Sequence, residues 1–191
     1  MAPVWAFLFD YRNVLAGLPL VYTFFSVRGQ YEVGLVVWAV ACLLGLLGAA
    51  LRAWARTHCF YGCSVRKALA TSGPYALVRN PLYIGNLLVI AAAAVASELA
   101  WFVPFAILWA FLVYCAVTRH EETRLDARYG EEFRLYRSKV PAWWPRVRLF
   151  RGMALGREFG LGFLVQATYA ALALAPFLVK ELNPFQLWPH P

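Results

Sequence analysis

Two short stretches hold the residues best suited to chemistry. The first is Thr71 to Gly85, TSGPYALVRNPLYIG, and the second is the acidic pair Glu121-Glu122, 36 residues further on. Gly73-Pro74 is turn chemistry. Asn80 followed by Pro81 reads as a helix start: Asn can cap orphan N–H groups, and Pro at the first helical position gives up no needed donor. Backbone N–H groups and the helix dipole at such a start favour an anion such as a carboxylate. Tyr83 falls in the first turn, and Gly85 permits close approach of a ligand or a neighbouring helix. Adjacent helical residues lie about 100° apart, so Glu121 and Glu122 do different jobs. One faces a cationic group of a ligand and the other pairs with a nearby arginine. His120 is a weaker candidate, as a general base. Taken singly, each stretch also has a plain structural reading, as a well-capped apolar helix and as a solvated charge cluster. Together, on two helices paired as an antiparallel hairpin, they would meet at one membrane face and form a pocket for a zwitterionic ligand.

The elements that must position these residues are apolar. The chain has 191 residues, 62% of them hydrophobic and 15% charged, with a mean hydropathy of +0.57. A soluble domain of this size cannot hide so much apolar surface, so the expected fold is all-α, a polytopic transmembrane helical bundle of about five spans. The segments run from about Val14 to Val27 (with Trp5–Phe9 available to extend it and Pro19 as a kink), Val33 to Leu51, Leu82 to Ser97, Leu99 to Thr118, and Phe159 to Val179. The first and third are short for a crossing and must recruit flanking residues. Residues 1–191 form a single membrane domain: the first two spans in 1–51, a core in 52–158, and the fifth span and tail in 159–191. Residues 120–139 show helical periodicity, with Leu125, Tyr129, Phe133 and Tyr136 near one face. They read as a cytoplasmic amphipathic helix continuing from the fourth span and lying on the lipid surface. Trp143 and Trp144 suit an interfacial anchor.

Charge distribution sets the expected orientation. Of 18 Lys and Arg residues, five lie in 52–81 and ten in 119–157. The positive-inside rule places the N-terminus and both basic loops in the cytoplasm and the C-terminus on the opposite side. The net charge of +8 does not point to nucleic acid, because the basic residues sit between apolar segments instead of along one soluble face. No cleavable signal peptide is expected, since the N-terminus lacks a basic region and Asp10 and Arg12 interrupt the first apolar run. No metal site is expected: His58, Cys59 and Cys63 form only a loose cluster without a second ligand pair.

Thr71-Ser72-Gly73-Pro74-Tyr75, Arg79-Asn80-Pro81-Leu82-Tyr83-Ile84-Gly85 and Glu121-Glu122-x-x-Leu125 resemble the integral membrane methyltransferases of isoprenylcysteine carboxyl groups and of phospholipid amines. Tyr129-Gly130-Glu131-Glu132-Phe133-x-x-Tyr136 and Val140-Pro141 are similar to their pattern too, so the likeness covers about residues 45–148. It implies S-adenosylmethionine as cofactor, held between the helix hairpin and the cytoplasmic segment that follows. Carried over by motif, the implied cofactor-binding residues are Lys67, Leu69, Ala70, Tyr75, Arg79, Asn80, Pro81, Tyr83, Glu121 and Glu122. Two departures stand out. Asn80 replaces the histidine of an Arg-His-Pro motif, and it cannot titrate near neutral pH. Val117 occupies the position of an arginine thought to meet the substrate carboxylate, leaving Arg119 as the nearest candidate for orienting substrate.

The resemblance therefore implies an enzyme that moves a methyl group from S-adenosylmethionine to a lipid-like or otherwise amphiphilic acceptor within the membrane. The acceptor could be a carboxylate, an amine or a thiol. Two alternatives remain: an NADPH-dependent sterol-type membrane reductase, whose core has a similar Arg-His-Pro stretch, and a non-enzymatic membrane protein. Against the last, the spans hold almost no mid-membrane charge and no inverted repeat is visible.

Overall fold

The computed structural model describes residues 7, 9–25, 34–59, 68–145 and 159–182, and all regular structure among them is helical. In chain order the helices are α1 (Arg12–Phe25), α2 (Gly34–Thr57), α3 (Pro74–Leu77), α4 (Pro81–Ala96), α5 (Val103–Tyr129), α6 (Glu131–Lys139) and α7 (Phe159–Leu182). Lys67 and Cys63 lie outside the described residues. Three of the helices, Gly34–Thr57, Val103–Tyr129 and Phe159–Val179, are long and apolar enough to cross a membrane. The outer faces of the bundle are apolar: Leu35, Leu43, Leu108, Leu112, Leu161 and Leu172 are all exposed. That pattern belongs to a helical membrane protein, whose lipid-facing side chains need no polar cover. The other two expected spans are shorter helices, α1 with 14 residues around Pro19 and α4 with 16.

α4 is the centre of the bundle and packs against α2, α5, α7 and α1. Its run Ala91–Ala94 is buried, as are Tyr83 and Ile90 on the same helix. Small side chains let helix backbones approach, which matters where lipid removes the hydrophobic drive for association. The closest approach joins α2 to α4. A Cβ on Gly48 would stand 2.8 Å from the Gly85 carbonyl oxygen, and one on Gly85 would stand 2.6 Å from Cγ of Arg52. Gly85 thus admits a neighbouring helix. On α7, a Cβ at Gly162 would meet Thr57 at 2.5 Å, whereas Gly160 has open space around it. Gly48→Ala should consequently destabilise the protein by roughly 1–3 kcal/mol, because the obstructing atom is backbone and cannot rotate away. Gly17→Ala, with nothing within 4 Å, should leave the melting temperature in detergent unchanged or slightly raised.

α5 differs from the expected fourth span at both ends. It begins at Val103 because Pro104 can occupy the first turn of a helix but not its interior. It then continues without a break to Tyr129. At about 1.5 Å per residue its 27 residues reach roughly 40 Å, beyond a hydrocarbon core of about 30 Å. The expected 120–139 helix is divided at Gly130, whose φ of 52° ends α5 and starts α6. Asp126 and Arg134 bridge the break at 2.9 Å. α6 does not leave its apolar side to lipid: Phe133 is buried, and the Tyr136 hydroxyl donates to the Tyr75 carbonyl at 2.7 Å.

Candidate functional site

The turn before α4 is built by local chemistry and then fastened at long range. Gly73 has φ of 59°, and the His58 ring occupies the space a Cβ would need, so only glycine fits there. The His58 Nε2 lies 2.9 Å from Ser72 Oγ. α3 follows as a single helical turn, bringing Tyr75 to face the bundle. Arg79 then makes four side-chain contacts. Its Nε and Nη2 donate to Glu122 Oε1 at 3.0 and 2.8 Å, and its Nη1 donates to the carbonyls of Arg137 and Val140 at 3.0 and 2.7 Å. Its backbone N–H donates to the Pro141 carbonyl. The segment after α6 is clamped over the start of α4.

Asn80 sits at the cap position of α4, but its side chain makes no capping bond. Its Nδ2 donates instead to the Ala142 carbonyl at 3.1 Å, extending the clamp. Pro81 is the first helical residue, as expected.

The hairpin of α4 and α5 brings the two stretches together. The Tyr83 hydroxyl donates to Glu121 Oε1 at 2.8 Å. Below that contact Tyr83 stacks on Tyr114, with ring centroids 4.9 Å apart. Beside it opens a cavity of about 670 Å³ bounded by Tyr75, Arg79, Asn80, Pro81, Tyr83 and Glu121, and by Phe9, Arg12, Arg124 and Arg128 from α5 and the chain before and within α1. A second cavity of about 240 Å³ lies toward α6, bounded by Ala68, Leu69, Ala70, Glu122, Tyr129, Phe133 and Tyr136. Tyr75, Arg79, Asn80, Glu121 and Leu125 face both. The two spaces share a wall carrying one carboxylate and one phenol. Burial pushes the Tyr75 and Tyr136 phenols well above their ordinary range, so both stay neutral and can donate hydrogen bonds throughout the physiological range.

The adjacent carboxylates are divided as their angular separation requires. Glu121 turns to the cavities, while Glu122 is held by Arg79 and lies 3.5 Å from Arg137 Nε. Of the residues implied by motif, Leu69, Ala70, Tyr75, Arg79, Asn80, Pro81, Tyr83, Glu121 and Glu122 all line one cavity or the other. Lys67 is outside the described residues. Arg119 is elsewhere: it is exposed and borders a separate groove with Thr123, Asp126 and Arg134. Val117, the position where an arginine was sought, is buried against Tyr83 and Tyr114. His120 lines neither cavity, and neither lining contains a histidine.

Sequence reasoning missed Phe9, Arg12, Arg124 and Arg128 as cavity residues. Arg12 had been noticed only as an interruption of an apolar run. The spacing of Arg124 and Arg128, one turn apart on the helix that carries Glu121, is a signal that could have found them; an arginine beside an apolar run carries none by itself.

Residues 30–132 match the family model described as phospholipid methyltransferase. The chain is 41% identical over 112 residues to the cobalt-zinc-cadmium resistance protein CzcN of Cupriavidus metallidurans, covering 57% of this chain and 51% of that protein. It is 36% identical over 118 residues to the nickel-cobalt-cadmium resistance protein NccN of Alcaligenes xylosoxydans xylosoxydans, covering 60% and 55%. The match thus spans about half the length of each relative. No solved structure shows significant similarity to the chain.

Proposed function

From the premise that this chain belongs to the phospholipid methyltransferase family, we propose that it transfers a methyl group from S-adenosylmethionine to an amphiphilic acceptor that reaches the site from the bilayer. The observation that carries this reading is the convergence of the Asn80-Pro81 helix start and Glu121 on one cavity, tied by the Tyr83–Glu121 hydrogen bond. The residues present suit the cofactor. Glu121 is an acceptor for an amino group, and the Tyr75 ring borders both cavities and can face a sulfonium. The two spaces of about 670 and 240 Å³ that meet at this wall leave room for a cofactor on the Leu69 and Ala70 side and an acceptor on the other. When bound, S-adenosylmethionine would supply a methyl group on a positively charged sulfur: the acceptor lone pair would form the new bond to the methyl carbon as the C–S bond breaks and its electron pair stays on sulfur.

What the protein itself contributes is positioning and exclusion of water. The clamp by Arg79 and Asn80 ties the end of α6 and residues 140–142 to the start of α4, and α6 lines the smaller cavity through Phe133 and Tyr136. The wall common to both cavities is where two reactants would be aligned. A carboxylate or thiolate acceptor needs no base at this wall, whereas an ammonium must first lose a proton.

We place the basic ends of α2 and α5 on the cytoplasmic side, following the positive-inside rule. The resistance named for the two relatives we read as a consequence of membrane modification. The deciding experiment uses the purified protein in detergent. Calorimetry should show saturable binding of S-adenosylmethionine, and labelled methyl groups should appear in a lipid extract incubated with it. Saturable binding of NADPH with none of S-adenosylmethionine would instead establish the reductase.

A further inference from the structure

We infer that Arg12, Arg124 and Arg128, which border one cavity, form an anion-binding subsite that takes the carboxylate or phosphate headgroup of the acceptor. The inference rests on the methyl-transfer reading for its biological meaning, but the site is defined by its own geometry. All three arginines border the larger cavity and none borders the smaller, so they belong to the side away from Leu69 and Ala70. The Arg12 guanidinium lies 4.3 Å from the Phe9 ring centroid and that of Arg124 lies 5.8 Å from the same centroid. One aromatic side chain therefore orients two cations drawn from different parts of the chain.

Charge balance supplies the second argument. Arg79, Arg134 and Arg137 are engaged in ion pairs with Glu122 and Asp126. Against the three cavity arginines stands a single lining carboxylate, Glu121, which already accepts from Tyr83. Arg124 and Arg128 are exposed at the cavity rim and Arg12 is partly buried, beside apolar walls such as Phe9, Pro81, Leu82 and Leu125; an anion bound among them relieves the repulsion that water only screens. A guanidinium is also the side chain best matched to a carboxylate or phosphate, through two parallel N–H donors. The same field disfavours a cationic amphiphile, so the site selects by repulsion as well as attraction.

The test displaces dansyl-labelled undecanoate from the purified protein in a neutral detergent. Dodecanoate or dodecyl phosphate should compete at roughly tenfold lower concentration than dodecylamine, the scale of one charge-assisted contact. Whichever of the two anions is the stronger competitor identifies the headgroup class. Replacing all three arginines by glutamine should erase the preference, replacing all three by lysine should keep most of it, and Arg134→Gln should leave it intact. Equal competition by dodecylamine, or a triple glutamine variant that behaves like the parent, would overturn the subsite. Calorimetry with S-adenosylmethionine on the same samples separates the two readings. Anion selectivity without cofactor affinity removes the methyltransferase and leaves the subsite; cofactor affinity without anion selectivity does the reverse.

Discussion

Glu121→Gln should leave the protein folded and reduce methyl transfer about 100-fold or more, with the loss appearing chiefly as weakened binding of S-adenosylmethionine. The substitution preserves the shape of the side chain and an oxygen that still accepts from Tyr83, so the 2.8 Å contact survives. Only the charge is removed. A hydrogen bond to a charged group contributes about 1.5–3 kcal/mol, and a factor of 100 corresponds to about 2.7 kcal/mol. Tyr83→Phe removes the neutral partner and leaves the carboxylate in place, so its effect should be nearer tenfold. Melting temperature in detergent and calorimetric affinity measured on the same preparations would decide the matter. A folded Glu121→Gln protein with parental affinity for S-adenosylmethionine would remove the carboxylate from the site and the proposed function with it.

The neighbouring carboxylate should respond in the opposite sense. Glu122 accepts two hydrogen bonds from Arg79, so Glu122→Gln should lower stability while disturbing the chemistry less. Two adjacent residues with separable effects, one on affinity and one on melting temperature, are what a helix geometry of about 100° per residue requires.

That division was legible in the sequence, because two consecutive helical positions cannot face one ligand. The Asn80-Pro81 start was equally legible, since proline at a first turn leaves few other readings. Other parts depended on contacts between residues far apart in the chain. Asn80 looked like a helix cap, yet the Ala142 carbonyl, 62 positions away, claims its amide. Arg79 looked like a cofactor contact, yet its donors go to Glu122 and to the carbonyls of Arg137 and Val140. The helical period of 120–139 was correct in phase, but one glycine divides it, and periodicity carries no information about a single break. Arg12 was hidden for a different reason. Nothing local distinguishes an arginine that ends an apolar run from one that lines a cavity until α1 is packed against α5. The helical membrane bundle was legible from hydropathy, which reads apolar length, but the start of α5 at Val103 is set by Pro104 and not by apolar length.

Arg79→Ala should be the most destabilising single change outside the helix–helix contacts, by about 3 kcal/mol. Arg79 and Glu122 are both largely buried, at 12% and 14% exposure, so solvent screens the pair weakly. The variant strands the Glu122 carboxylate against Arg137 alone, at 3.5 Å, and leaves the Arg137 and Val140 carbonyls without their donor. Arg79→Lys should recover less than half of the loss: an ammonium is a compact point charge and cannot serve a carboxylate and two carbonyls with a planar fork. Adding Glu122→Gln to Arg79→Ala should recover about 1 kcal/mol, because removing both partners costs less than stranding one. The release should be local before it is global. Limited proteolysis should cut first near Gly130 or in 137–142, since the remaining polar ties of that segment are the longer Arg137–Glu122 pair and single hydrogen bonds through Asn80, Tyr136 and the Arg79 backbone. Affinity for S-adenosylmethionine should then fall even though Glu121 is untouched, because Arg79 ties down the end of α6, whose Phe133 and Tyr136 line the smaller cavity. An Arg79→Ala protein with parental melting temperature and parental protease resistance would show that the clamp is incidental, and the enclosure of the site would need another cause.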